Sequence, residues 1–305
     1  MGAAAGAIKG LGLLLRLPAV LAWSGGGLYL AAGLAAKRGV APERWLDLTL
    51  LGLGTLLLHG VVTHALNDRT DWASGTDRLS PGLLSGGSRV IRYGLLSPRA
   101  LVRVSAAATL LTLALAGILL SRLGPGVLVA LAVGLWSALA YSLPPLALAY
   151  RPLAGEWLGA FPALLSCTLG AYWTLRGTLE PPLGAAALGY GLLCQAWLAE
   201  HHLADVEADL AARPPKFTTA AWVSRRCGRA AGRIVPALYA GLALPFVASS
   251  APGPPLVRPA LAVPALLAST CAWCAPPDDV RATTRAELAM MALALLEAGL
   301  LVHLG

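Results

Sequence analysis

Two short acidic stretches hold the residues of this chain best suited to chemistry. The first reads Asn67-Asp68-Arg69-Thr70-Asp71-Trp72-Ala73-Ser74-Gly75-Thr76-Asp77 and the second Asp205-Val206-Glu207-Ala208-Asp209; together they carry six of the fifteen carboxylates in 305 residues. Each directly follows an apolar stretch long enough to cross a bilayer. Hard oxygen ligands clustered at a helix mouth suit Mg²⁺, which completes its shell with water and phosphate oxygens when few carboxylates hold it. Residues three and four apart share a helix face, so Asp68 pairs with Asp71 and Asp205 with Asp209. The pattern predicts a metal-dependent diphosphate site at the membrane surface. For either pair alone, solvated charge at a helix end is an equally good account; two pairs on one membrane face favour the metal.

Partners for an anion stand close by in sequence. Ser85-Gly86-Gly87-Ser88-Arg89 offers backbone N–H groups, hydroxyls and a guanidinium whose fork matches phosphate oxygens. It follows Asp77 by a few residues and reads as a diphosphate clamp, with Arg69, Arg92 and Lys216 as further candidates. Arg225, Arg226 and Arg229 read instead as membrane-surface anchors.

These groups need elements to position them, and the composition says which kind. The chain is 57% hydrophobic and 12% charged, with a mean hydropathy of +0.69, whereas soluble domains carry about 25% charged residues. It reads as an all-α, polytopic membrane helical bundle, one domain over residues 1–305. The first apolar segment outruns a signal-peptide core and shows no small-residue cleavage site, so it is expected to be retained. Five cysteines, an odd number placed in or beside apolar spans, argue against a disulfide framework and for buried structural thiols, Cys271-Ala-Trp-Cys274 included. The net charge of +8 is strung along loops rather than gathered in a tract, which speaks for membrane topology and against nucleic acid.

Nine apolar stretches have spanning length, at about 11–35, 46–66, 99–121, 125–143, 156–176, 182–203, 234–250, 257–275 and 286–304. Pro18, Pro144, Pro145, Pro162 and Pro236 should bend or end them. With a cytoplasmic N-terminus, seventeen of the twenty-three Lys and Arg residues fall on the cytoplasmic side. The positive-inside bias then puts both acidic stretches in the cytosol. The loops after the second and sixth spans are the longest, and their matching positions suggest a weak internal duplication.

Several ordered motifs now resemble a known family. They are the Asn-Asp-x-x-Asp stretch with Asp77, Gly86-Gly87-Ser88-Arg89-Val90, Gly94-Leu95-Leu96-Ser97-Pro98, Tyr141-Ser142-x-Pro144-Pro145, Gly155-Glu156 and Asp205-x-Glu207-x-Asp209. Over residues 60–230 they resemble the UbiA superfamily of intramembrane prenyltransferases, and most of all the 1,4-dihydroxy-2-naphthoate enzymes of menaquinone synthesis. The resemblance implies a helical bundle around a central cavity, Mg²⁺ as cofactor, and an isoprenyl diphosphate, a small aromatic acceptor and the lipid bilayer as partners. It assigns Asp68, Asp71, Asp205 and Asp209 to catalysis, the same four with Asp77 to the metal, and Asn67, Ser88, Arg89, Tyr141 and Lys216 to the diphosphate. The chain departs from the family at His201-His202, where Asn-Asn or Asn-Asp is usual, and at Arg213-Pro214-Pro215-Lys216-Phe217-Thr218, where Gly-Lys-x-Thr is usual.

The two histidines are read either as bases or acceptor contacts, or as packed or capping groups. His59 and His64 are intramembrane ionisable residues and so candidates by default, while Asp47 and Glu297 are read as interfacial. Trp72, Tyr93, Tyr141, Tyr172, Trp173 or Trp197 could steady a carbocation through cation–π attraction, core packing being the plainer account for any one of them. Three functions follow: prenyl transfer to an aromatic acceptor, UbiA-type terpene cyclisation without acceptor, and a non-enzymatic transporter or lipid-binding protein.

Overall fold

The structure, a computed structural model, describes residues 3–250 and 257–305, and every regular element among them is helical. Nine long helices follow one another: α1 (Ala5–Ala36), α2 (Arg44–Ser74), α3 (Pro98–Leu123), α4 (Val127–Ala140), α5 (Gly155–Arg176), α6 (Pro181–Leu203), α7 (Arg229–Ser249), α8 (Val257–Cys274) and α9 (Val280–Leu304). Seven of them, all but α4 and α6, are long and apolar enough to cross a membrane. Helices are the only open-ended element that satisfies its own backbone groups in lipid, which is why an apolar chain of this length forms them. The protein is an integral membrane helix bundle.

Expected and observed limits agree closely except at three places. α2 continues to Ser74 rather than stopping near 66, because Asn67, Asp68 and Asp71 find protein partners that let the helix carry polar residues onward. α9 starts at Val280 rather than 286, since the Asp279 carboxylate accepts from the amides of Arg281 and Ala282 at 2.8 and 3.1 Å and caps the helix. α1 is interrupted at Arg16, whose backbone is left-handed (φ 45°), and restarts with Pro18 in its first turn.

Packing divides the bundle into two groups bridged by α1. α2 packs on α3, α4 and α5, whereas α6 packs on α5, α7 and α9, with α8 between α7 and α9; α1 lies against α5 and α9. Lipid provides no hydrophobic drive between helices, so close approach through small residues does the work. Gly189 of α6 is such a point: a Cβ there would sit 3.1 Å from the Val247 amide nitrogen of α7. Tyr190, fully buried, donates its hydroxyl to the Ala22 carbonyl of α1 at 2.7 Å. Three π-helical turns interrupt the α geometry, Leu21–Gly25, Leu56–Thr63 and Gly155–Ala160, and each contributes wall to a cavity at the centre of the bundle. Such turns are rare and concentrate at functional sites.

Two expectations need correction. Asp47 and Glu297 are buried rather than interfacial. Asp47 is ion-paired to Arg122 and, at 3.7 Å, to Arg44; Glu297 shares the inner face of α9 with Met290, Ala294 and Leu301, because helical periodicity puts those positions in one stripe. All five cysteines are free, but Cys227 and Cys274, at the ends of their helices, are exposed rather than buried.

The α6–α7 contact predicts a specific sensitivity. Gly189→Val forces a branched side chain against the α7 backbone and should destabilise the detergent-solubilised protein by about 1–3 kcal/mol, measured as a lowered Tm. The same change at Gly241, whose Cβ would meet nothing within 4 Å, should leave Tm nearly unchanged.

Candidate active site

The two acidic stretches meet at one end of the bundle. Asn67, Asp68 and Asp71 occupy the last two turns of α2, which ends where Gly75 turns left-handed (φ 98°). That turn sends a short helix, Thr76–Leu79, back over the helix end and brings Asp77 beside Asp71. On the other side α6 stops at Leu203, and Asp205 precedes a second short helix, Val206–Ala211, which carries Asp209 and packs on Thr76–Leu79.

The glycine-rich stretch lies between them. Gly86 and Gly87 both take positive φ, and a Cβ on Gly87 would run into the Asp77 carboxylate and lie 3.0 Å from Asp68 Oδ1. Only glycine lets the backbone come this near two carboxylates. The Ser88 amide donates to both oxygens of Asp68 at 3.2 Å, and the Ser88 hydroxyl donates to Asp68 as well. Asp205 accepts from the Gly86 amide at 3.1 Å, from Ser85 Oγ at 2.8 Å and from the Ser80 hydroxyl. The Gly86 and Ser88 amides and the Ser85 and Ser88 hydroxyls of the expected phosphate clamp are therefore engaged by the aspartates themselves and knit the first stretch to the second, while Arg89 donates to the Ser85 carbonyl at 3.5 Å and lines the cavity.

Two cations complete the network, half-buried Arg16 and buried Lys216. Arg16, at the break in α1, pairs with Asp68. Lys216 places its ammonium 2.6 Å from Asp71 Oδ2, and its amide donates to the Asp209 carbonyl at 2.8 Å. Burial alone would discharge Lys216, but Asp71 and Asp209 outweigh burial and hold its pKa well above the ordinary value. Asp71 also accepts from the Tyr150 hydroxyl at 2.7 Å and from Asn67 Nδ2 at 3.0 Å. Burial and then the Asp71 charge push the Tyr150 phenol above its usual range.

Charge at this end does not balance. Five buried carboxylates face two cations paired with them, buried Lys216 and half-buried Arg16. Both oxygens of Asp209 lack a partner among the described residues, and burial pushes its pKa well above the carboxylate range. Asp77 is raised to about 8 by burial, then by the Asp71 and Asp68 charges. Orphaned buried carboxylates are a donor set for hard divalent cations. No three His, Cys, Asp or Glu side chains among the described residues close on one point as a finished metal site, which suits an ion that takes further ligands from a phosphate.

The cavity has a volume of about 480 Å³. Its polar mouth includes Asn67, Asp71, Asp77, Asp205, Lys216, Ser88 and Arg89, with Tyr141 on the wall. Beyond the mouth it is lined by Leu50, Leu51, Gly54, Leu58, Leu115 and Leu131. Asp68 and Asp209 stand behind this surface, covered by their partners on one side and by Lys216 on the other. Arg69 is exposed and off the cavity, and Arg92 donates to the Asp77 and Arg78 carbonyls, at 3.1 and 2.7 Å, so neither acts at the mouth. Of the aromatic candidates, Tyr93, Tyr141 and Trp197 line the cavity; Trp72 lies under Arg78, Tyr172 packs with Ala31 and Ala35, and Trp173 abuts Gly126.

Neither a family model nor a curated protein matches this sequence. Solved structures do. A UbiA homologue from Archaeoglobus fulgidus bound to GPP and Mg²⁺ superposes with a TM-score of 0.61 at 17% identity, over 95% of this chain and 99% of that one. The same kind of match holds for the homologue bound to DMAPP and Mg²⁺, at TM-score 0.61, 16% identity and 94% and 99% coverage. The chain has a UbiA fold. A further UbiA homologue structure from that organism matches at TM-score 0.53 and 15% identity, again over nearly the whole of both chains.

Within this UbiA fold, sequence reasoning missed two site residues. Arg16 was counted only as a topological charge; an arginine inside an apolar span is itself a signal of function. Tyr150 carries no signal of its own, since only the fold brings it to Asp71.

The raised pKa of Asp77 has a pH signature. An unfolded Asp77 loses its proton near 3.8, whereas in the fold it keeps it until about 8. Between those values rising pH favours the unfolded chain, and the penalty is complete above about 8. Asp77→Asn should therefore raise Tm relative to the native protein at pH 8 without added metal, with the gain vanishing near pH 4.

Proposed function

We propose that this chain is an intramembrane prenyltransferase of the UbiA superfamily, acting as one unit over its length. It moves an isoprenyl group from an allylic diphosphate to an aromatic or quinone-precursor acceptor and releases diphosphate. One observation carries the reading: five buried carboxylates outnumber the two cations paired with them, buried Lys216 and half-buried Arg16, at the polar mouth of a cavity whose deeper lining is mostly apolar. A diphosphate bridged by divalent cations supplies the charge the mouth lacks, and the apolar wall takes a lipid tail. The A. fulgidus structures with GPP, DMAPP and Mg²⁺ support it.

Mg²⁺ bound there would neutralise charge on the departing diphosphate. Asp68, Asp71, Asp77, Asp205 and Asp209 are the residues to hold it. Lys216, Arg16 and Arg89 would bind diphosphate oxygens, with Asn67 and Ser88 fixing the carboxylates and Tyr141 flanking the reacting carbon. The C1–O bond breaks with its electron pair on the leaving group, and the water-poor wall shields the allylic cation. On α2 the wall runs from Asn67 to Leu50, about 25 Å at 1.5 Å per residue, which leaves room for a tail of several isoprene units. The Lys and Arg bias supports a mouth on the cytoplasmic side, our reading of the membrane is a bacterial cell membrane, and 1,4-dihydroxy-2-naphthoate is the first acceptor to try.

Liposome-reconstituted protein should release diphosphate and prenylate an acceptor from a panel of prenyl diphosphates of different length, only with Mg²⁺. Asp71→Asn should lower turnover by about 10²–10³-fold. A cyclised product from diphosphate alone would point to the terpene-cyclase reading, and no diphosphate release across the panel would rule out both.

A further inference from the structure

We propose that His201 and Glu287 form a proton-accepting dyad in the cavity wall, recognising an aromatic acceptor by its ionisable hydroxyl and deprotonating it as the prenyl group transfers. The inference rests on the prenyl-transfer reading and adds what receives the proton. His201 Nδ1 lies 2.9 Å from Glu287 Oε1, joining the last turn of α6 to the first half of α9. Both residues line the cavity, with side chains 17% and 3% exposed. A carboxylate on Nδ1 fixes the tautomer in which Nδ1 carries the proton and Nε2 keeps its lone pair, and it stabilises the imidazolium that forms.

No other histidine among the described residues has this arrangement. His59 Nδ1 faces the Ser24 hydroxyl at 2.7 Å, His64 donates to the Leu14 carbonyl at 3.0 Å, and His303 meets Tyr29 at an exposed end of the bundle. His202 is buried with Nδ1 unpartnered. Position completes the case. His201 precedes the diphosphate-side Asp205 by four residues, while Trp197 and Met291, one turn from His201 and Glu287 respectively, give the same wall a flat apolar surface for a ring. In the step itself the C1–O bond of the prenyl diphosphate breaks, and its electron pair leaves with diphosphate. The ring carbon ortho to the hydroxyl bonds to C1, and the hydroxyl proton passes to His201 Nε2. The ring C–H proton then moves to the oxygen as aromaticity returns, so one proton is released overall.

The test uses the full-length protein in lipid nanodiscs, Mg²⁺, one prenyl diphosphate and a set of ring-substituted hydroxyaromatic acceptors of graded hydroxyl acidity. His201→Ala should lower kcat by about 100-fold or more for weakly acidic acceptors, and by less than about tenfold for acceptors already ionised at the assay pH. The KM for prenyl diphosphate should stay within about twofold, which a general loss of structure would not allow. Glu287→Gln should show the same dependence on acceptor acidity with a smaller loss, and it carries the test if His201→Ala does not fold. Losses equal across the acidity series, or no loss, overturn the dyad while leaving prenyl transfer standing. A native protein that prenylates nothing removes the prenyl-transfer reading and the dyad with it.

Discussion

Burying several carboxylates together is costly unless something shares their charge, and the architecture at the mouth answers that constraint. Lys216 joins the end of α2 to the helix that follows α6, its ammonium bonding the Asp71 carboxylate and its backbone amide the Asp209 carbonyl. Arg16 does the same for α1 by pairing with Asp68. The glycine-rich stretch closes the arrangement because its amides reach carboxylates on both sides. Remove the charge pairing and the three parts of the chain have no reason to converge; add a diphosphate with divalent cations and the surplus carboxylates acquire the partners they lack.

The cavity below the mouth has the opposite chemistry. Leucines and small residues make up much of its wall, with His59, His64, His201 and Glu287 among them, and three π-helical turns contribute to it. A π turn displaces the register of everything beyond it, so residues such as His59 and Ser24 reach the interior from helices otherwise facing lipid. A charged head held at one end and an apolar tail held along the bundle axis is a division that suits an amphiphilic substrate.

Much of this was legible beforehand. Apolar runs of spanning length fix helices because lipid leaves the backbone no alternative, and the nine expected stretches fall on α1 to α9. The spacing of Asp68 with Asp71 and of Asp205 with Asp209 predicts one helix face for each pair, but the fold divides them: Asp71 and Asp205 line the cavity, Asp68 and Asp209 do not, and Asp205 precedes the helix that carries Asp209. The Gly86-Gly87-Ser88 backbone reads from sequence as serving phosphate, yet the Gly86 amide serves Asp205 and the Ser88 amide Asp68, since a donor's partner depends on what the fold brings near it. Asp47 and Glu297 looked interfacial because a lone acid near a span end usually is; burial and the Arg122 pair came from packing.

By itself the sequence determined a polytopic helical bundle, its spans, and two acidic stretches ending two of them, since hydropathy and period are properties of a local run of residues. Only the tertiary structure decided that Arg16, Tyr150 and Lys216 surround those stretches, that Glu287 backs His201 rather than His202, and that a cavity connects the two. Those depend on helix crossing and on turns of irregular register between residues far apart in the chain, and no local pattern encodes where such helices meet.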